Sequence, residues 1–341
     1  MAYQDSENKR VIRRVWDGAL IEARFRELGR PLSYLGLCGP EIHDLLDWKP
    51  WLGQRTGVEW TGRTPEEREI AQETIGRLLM NVAVHEVSSE FQLLRGEIED
   101  VILDGTDQDG HAPILADAAP AHRQRLSYDL VNLDFVGGFG YRRGRVPAKR
   151  VAALRRLFER QRGQDFLFLL TVNLRHTLGR DFQDFLKGLT GRLRSNDCRQ
   201  NLEWYLRRGA GQSVQKLKAT IPCWVRANAE PQQFRCAAYP PIYYEGHEGA
   251  WMLHFVFDLR SSQGDLGAFS AQNDSELIDL PLLEVLDGQL RFSAEQHPSF
   301  DAGRAAALLG FLQPEVRAAI IATAPQAARP ATTRGRRGER G

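Results

Sequence analysis

Leu32-Ser33-Tyr34-Leu35-Gly36-Leu37-Cys38-Gly39-Pro40-Glu41 is the stretch on which the fold turns. An apolar run stops at a glycine-bounded turn, and Pro40-Glu41 then suits the first turn of a helix, through proline's fixed φ and an acid at the positive dipole end. The order is strand, glycine turn, helix. Before it, residues 8–29 carry Val11, Val15, Leu20, Ile21 and Phe25 as one stripe, with Gly29 as C-cap, which predicts an amphipathic helix.

The same alternation continues downstream. Thr56 to Trp60 reads as a strand, and Thr64-Pro65-Glu66-Glu67 opens a long helix. Phe91 to Leu94 is a strand closed by Arg95-Gly96, with a short helix over Ile98 to Leu103. Residues 104–125 are loop-like. Tyr128 to Phe135 and Asp165 to Asn173 are near-continuous apolar runs, the mark of strands covered on both faces. Helices are expected over Pro147 to Arg162, Phe182 to Leu193 and residues 199–219. Phe234 to Tyr244 and Trp251 to Leu259, joined by EGHEG, predict an antiparallel hairpin added to a parallel sheet. A Leu-rich segment (277–292) and an Ala/Leu helix near 302–323 follow. This β-α-β-α rhythm predicts an α/β doubly wound, mostly parallel seven-stranded sheet with a late antiparallel hairpin, plus helical N- and C-terminal additions. The expected divisions are an N-terminal extension (1–30), the sheet domain (31–262), a small C-terminal addition (263–324) and a disordered basic tail (325–341).

The 341 residues are 42% hydrophobic and 26% charged, an ordinary globular composition that excludes collagen, a long disordered chain and a disulfide scaffold. Four scattered cysteines form no CxxC pair, so neither a redox motif nor a metal site is expected. No apolar run approaches a membrane span, and the polar N-terminus has no apolar segment of a secretory signal, so a cytoplasmic location without membrane attachment is expected. There is no GxxxxGK[ST]. The Asp104-Gly-Thr-Asp107-Gln-Asp109-Gly110 run lacks the twelfth-position Glu of a calcium loop and reads as a flexible turn.

In open α/β sheets ligands bind beyond the carboxyl ends of the strands. Four such ends carry suggestive groups: the Gly36 to Glu41 turn; Glu59, some twenty residues on, where an acid accepts from ribose hydroxyls; Glu97 with Asp100; and Asp134 within Asn132-Leu133-Asp134-Phe135-Val136-Gly137-Gly138. With these residues the sequence resembles a class I S-adenosylmethionine-dependent methyltransferase, of Rossmann-like fold, over roughly residues 30–260. The resemblance implies S-adenosylmethionine as cofactor, with Gly36 and Gly39 at its methionine part, Glu59 at ribose and Glu97 at adenine. It puts Asp134 on the catalytic side, or Asn132 in an alternative register. The sequence also departs from that family. Tyr34 stands in place of the usual acid, Cys38 in place of the middle glycine, and the two prolines after the fourth strand are missing. Two readings therefore stay open, an enzyme and a catalytically silent binding module; a nicotinamide-dependent oxidoreductase is disfavoured by the absent GxGxxG.

The 45 basic residues nearly cancel 44 acidic ones, but 39 of them are arginine. Codon bias explains such an excess as readily as binding does. Placement adds information: nine basic residues and one acid lie between Arg142 and Arg162, beginning where a substrate would enter. Arg142, Arg143, Arg145 and Arg175 are candidates for binding a nucleic acid. Arg155 to Arg162 read better as a solvated helix face. The Tyr239-Pro-Pro-Ile-Tyr243-Tyr244 cluster fits base stacking or core packing. A protein partner is the other option.

Overall fold

The computed structural model describes residues 6–115, 125–135, 146–174, 180–193, 196–207, 213–246, 249–264, 269–298 and 300–325. The N-terminal helix is built in three pieces: α1 (Glu7–Val11), a π-helical turn (Ile12–Asp17) and α2 (Gly18–Leu28), ended by Gly29 at φ 63°. The strand β1 (Leu32–Gly36) follows. The helix expected at Pro40-Glu41 is instead one short turn, α3 (His43–Asp47), entered through Ile42 at φ 46°. Its brevity has a local cause. Pro50 has no N–H to continue the ladder, and Lys49–Trp51 tightens into a 3₁₀ turn before β2 (Leu52–Glu59).

Thr64 and Glu67 form a reciprocal capping box that starts α4 (Pro65–Val84) where the sequence placed it. Then come β3 (Phe91–Arg95), α5 (Ile98–Asp104), β4 (Leu130–Asp134), α6 (Val146–Arg160), β5 (Phe166–Asn173) and α7 (Arg180–Arg192). Residues 199–219 are not one helix but parts of two, α8 (Asn196–Arg207) and α9 (Ser213–Ala229). The run 234–244 is likewise broken, into β6 (Phe234–Ala238) and β7 (Ile242–Glu245), because Pro240-Pro241 cannot donate to the ladder. The last described elements are β8 (Trp251–Ser261), α10 (Asp274–Ile278), β9 (Leu283–Leu286), β10 (Gln289–Phe292), α11 (Ala302–Ala307) and α12 (Pro314–Ala322).

These strands make one sheet in the order β10-β9-β7-β8-β5-β4-β1-β2-β3, with β6 also on β8. Strands β1 to β5 pair in parallel, and β8 runs antiparallel to β5 on one side and to β6 and β7 on the other. Counting the broken β6/β7 as one, the sheet has the seven expected positions. The Leu-rich segment adds something the sequence did not declare: β9 joins β7 in parallel, and the β9–β10 hairpin extends the same sheet.

Two cores flank the sheet, one under α5, α6, α8, α9 and α10, the other under the N-terminal helix, α4, α11 and α12. All eight residues of β5 are buried, as its apolar run requires. The strand order reverses between β1 and β4, where Gly36 lies opposite Asn132. Two residues further along β4, Asp134 lies opposite Thr171 of β5, and Thr171 opposite His254 of β8. Open sheets bind ligands at this switch point.

Candidate functional site

The carboxyl ends of β2 and β3 open on a cleft of about 490 Å³, lined among others by Trp60, Arg63, Gly96, Glu97, Asp100 and Lys149. Glu59 ends β2 directly beside it. Its carboxyl accepts from the backbone N–H groups of Trp60 and of Gly39, so the second strand's acid and the first strand's turn are locked together. Burial outweighs those two donors and pushes the Glu59 carboxyl up to about 7. Gly39 has φ 60° and open space where a side chain would start, so its backbone is bare there. Gly96, at φ 137°, donates to the Glu59 carbonyl (2.9 Å) and turns the chain into α5.

Glu97 faces the same cleft but is already paired, with Arg63 and with Lys149 (2.9 Å); Lys149 also holds Asp100 (2.6 Å). Burial raises the Glu97 pKa, and the two cations more than reverse it, leaving the carboxyl below its ordinary value. Trp60, which lines the cleft, is 37% exposed. The loop 104–111 is no flexible turn. Asp107 accepts from the N–H groups of Arg95, Asp109 and His111, which fixes the floor of the cleft.

The first turn is filled by its own chain. Tyr34 is fully buried, and a Cβ on Gly36 would collide with its hydroxyl and lie 2.8 Å from the Asn132 carbonyl oxygen. That hydroxyl has no hydrogen bond of good geometry. Cys38 is buried against Gly57, and burial pushes its thiol well above the ordinary value, so it stays protonated and is no nucleophile.

Beyond the first turn lies a buried charged cluster contributed largely by the N-terminal helix. Lys9 pairs with Asp134. Arg13 holds Asp47 (2.5 Å) and lies 3.7 Å from Asp44, while Asn132 donates to Asp44 (2.7 Å). Burial pushes the Asp44 carboxyl up to about 6 against the pull of Lys9 and Arg13, with Asp134 and Asp17 adding to the rise. His254 bridges the Thr171 hydroxyl and Asp17, at 2.9 Å each. None of Lys9, Arg13, Asp17, Asp44 or His254 stands out in the sequence. The i, i+4, i+8 spacing of Lys9, Arg13 and Asp17 was the available signal, and it reads as a solvated face until the sheet end is placed beneath it.

Arg142, Arg143, Arg145 and Arg175 lie outside the described residues. The described cations that follow them are spent within the fold. Arg150 donates to Glu99 (2.9 Å) and lies over Phe135, Arg155 reaches Asn228 (2.9 Å), Arg156 reaches Glu159 (2.6 Å) and Arg160 caps the Leu103 carbonyl (2.9 Å). Of the aromatic cluster, Tyr244 is core and Tyr239 packs on Phe311, while Tyr243 stacks on the exposed Trp251 at 4.6 Å.

No protein-family model matches the chain. No curated protein matches it either. Solved structures resemble it loosely. An O-methyltransferase of tomaymycin synthesis from Streptomyces achromogenes, in complex with SAM, is 12% identical, over 71% of this chain and 79% of its own, at a TM-score of 0.36. An O-methyltransferase from Bacillus cereus in complex with SAH is 11% identical, over 76% of this chain and 84% of its own, at 0.35. The magnesium protoporphyrin IX methyltransferase from Synechocystis, with bound SAH, is 10% identical, over 74% and 90%, at 0.33. The chain's own strand order defines its class. Five parallel strands reversing at β1/β4, then one antiparallel strand between two parallel neighbours, make a Rossmann-like sheet with the strand arrangement of the class I methyltransferase fold. Among the described residues, no helix is long and apolar enough to cross a membrane.

Proposed function

We propose that the chain binds S-adenosylmethionine through its adenosine half at the carboxyl ends of β1 to β3. One observation carries the reading: the Glu59 carboxyl, held by the Gly39 and Trp60 N–H groups, ties the first strand's turn to Trp60, which lines a cleft together with Glu97. Glu59 accepts from the ribose hydroxyls, Trp60 offers a face to the base, and Glu97 accepts from the exocyclic amine. The residues present fit this half. When bound, the cofactor supplies an activated methyl group. At the methionine half, Tyr34 and Cys38 fill the space beside Gly36, so that part of the ligand finds no cradle without a shift of this chain.

On the enzyme reading Asp134 or Asn132 orients the acceptor, and the acceptor is a nucleic acid held by Arg142, Arg143, Arg145 and Arg175. The alternative, a methyltransferase fold that grips a partner without transfer, is favoured by the Lys9–Asp134 pair and by the filled first turn.

Calorimetric titration with S-adenosylhomocysteine and with adenosine tests the site. Binding is expected for both, weakened about tenfold or more by Glu59→Ala, the loss of a charge-assisted hydrogen bond. No heat with either ligand refutes it. Salt-dependent retention of single-stranded DNA or RNA, lost when Arg142, Arg143 and Arg145 are neutralised, separates the nucleic-acid reading from a protein-binding module.

A further inference from the structure

The adenosine half of the ligand makes no use of the charged cluster around Lys9, Arg13 and Asp134. The fold links the two: Glu59 accepts from Gly39 of the first turn, β1 pairs with β4 so that Gly36 lies opposite Asn132, and β4 ends two residues later at Asp134. Asp134 thus stands at the switch point of the sheet, where open sheets bind ligands. The cluster around it is acidic. Asp134, Asp44, Asp47 and Asp17 gather there, and the opposing cations come from the N-terminal helix as Lys9 and Arg13.

The attachment of that helix is uneven along its length. Residues of α1 are not buried, and its first turns reach the sheet through polar contacts, Lys9 to Asp134 and Asn8 to the Glu245 carbonyl (3.1 Å). Firm apolar anchoring begins only at Ile12 and Trp16, inside the π-helical turn that also brings Arg13 and Asp17 inward. π-turns of this kind commonly mark functional sites. The part that covers Asp134 is therefore the part with least apolar hold on the protein.

We propose that Lys9 is a built-in competitor for the ligand's tail: its ammonium holds a cation subsite at Asp134 that an adenosyl ligand occupies with its own amino-acid ammonium. The inference rests on the adenosine site above. Lys9 is a specificity-determining residue. Adenosine, with no tail, enters the cleft and leaves the first helical turn in place. A ligand with a charged tail gains its tail contacts only by displacing that turn, and it replaces one ammonium at Asp134 by another. The acid is never left buried without a counter-charge, a state that would be costly.

The test compares adenosine with S-adenosylhomocysteine on the full chain, wild type and Lys9→Met, which keeps the apolar stem and removes the charge. The expected result is S-adenosylhomocysteine bound about five- to tenfold tighter by the variant, with adenosine within about twofold. A measurement on the wild type alone guards against a variant that folds poorly. Saturating S-adenosylhomocysteine should speed amide hydrogen exchange over residues 7–17, and saturating adenosine should not. An unchanged ratio of the two affinities in Lys9→Met, or exchange at residues 7–17 that responds equally to both ligands, overturns the proposal while the adenosine site stands. Absence of adenosine binding overturns the site itself, and this inference with it.

Discussion

Replacing Glu59 by Gln is the most informative single change, because stability and binding should move in opposite directions. In the fold the Glu59 carboxyl is raised from 4.5 to about 7, burial outweighing the two N–H donors. A carboxyl whose folded pKa exceeds its unfolded value binds its proton more tightly when folded. It contributes stability that is fully present below pH 4.5 and is lost as pH rises through 7. The full difference corresponds to about 3 kcal/mol, and since the residue keeps some solvent contact we expect about 1–3 kcal/mol. Gln retains an oxygen for the Gly39 and Trp60 donors and has no charge to bury. Glu59→Gln should match the wild type at pH 4.5 and exceed it by that amount at pH 8.5, while adenosine binds about tenfold more weakly. Urea denaturation at pH 4.5, 7 and 8.5 reads the first effect, and calorimetry the second. A stability difference that is flat across pH, or that favours the wild type at pH 8.5, refutes the reasoning. It would mean that the two backbone donors dominate and that the acid is a structural clasp.

Two further outcomes follow from buried polar groups. Asp129, fully buried at the amino end of β4, accepts two hydrogen bonds from Arg30 (2.8 and 2.9 Å), two from Ser33 (2.9 and 2.8 Å) and one from Gln164 (2.9 Å). Asp129→Ala should lower unfolding stability by about 3 kcal/mol, since it strands the two buried Ser33 donors and the half-buried Gln164 amide and leaves Arg30 unpaired, and chemical denaturation checks it. Tyr34→Phe removes a buried hydroxyl without a hydrogen bond of good geometry, and should raise stability by about 1 kcal/mol in the same assay. A loss of stability there would show that the hydroxyl finds a partner after all.

The central sheet was legible because its strands are written twice, as apolar runs and as glycine-closed ends. Strands β1, β4 and β5 fall within a residue or two of their apolar stretches, and the Thr64 capping box announces α4. Breaks inside good patterns were harder to see. Pro240-Pro241 splits a run that otherwise reads as one strand, and Pro50 limits α3 to one short turn, because a missing N–H acts at one position while periodicity averages over many. The β9–β10 hairpin hid in a Leu-rich stretch whose strands are four residues each, too short for alternation to speak. Of the candidate site residues, Gly39, Glu59 and Glu97 do converge, since strand ends in a parallel sheet lie side by side. What local sequence does not carry is who covers whom. Lys9 reaches Asp134 across 125 positions and Asp17 reaches His254 across 237, and such pairings depend on where a helix lands rather than on its own pattern.

Those spans also order events in time. A chain emerging at roughly 5–20 residues per second needs roughly 10–50 s between the synthesis of Asp17 and that of His254. Trp16 waits longer still for Phe311, and α1 for the strands β9 and β10 on which it rests. During that interval β1 to β5 have been made, but the elements that seat the N-terminal helix have not. The N-terminal helix therefore meets β9, β10 and Phe311 as a late step of folding, and the Lys9–Asp134 contact at the carboxyl end of β4 follows from that step.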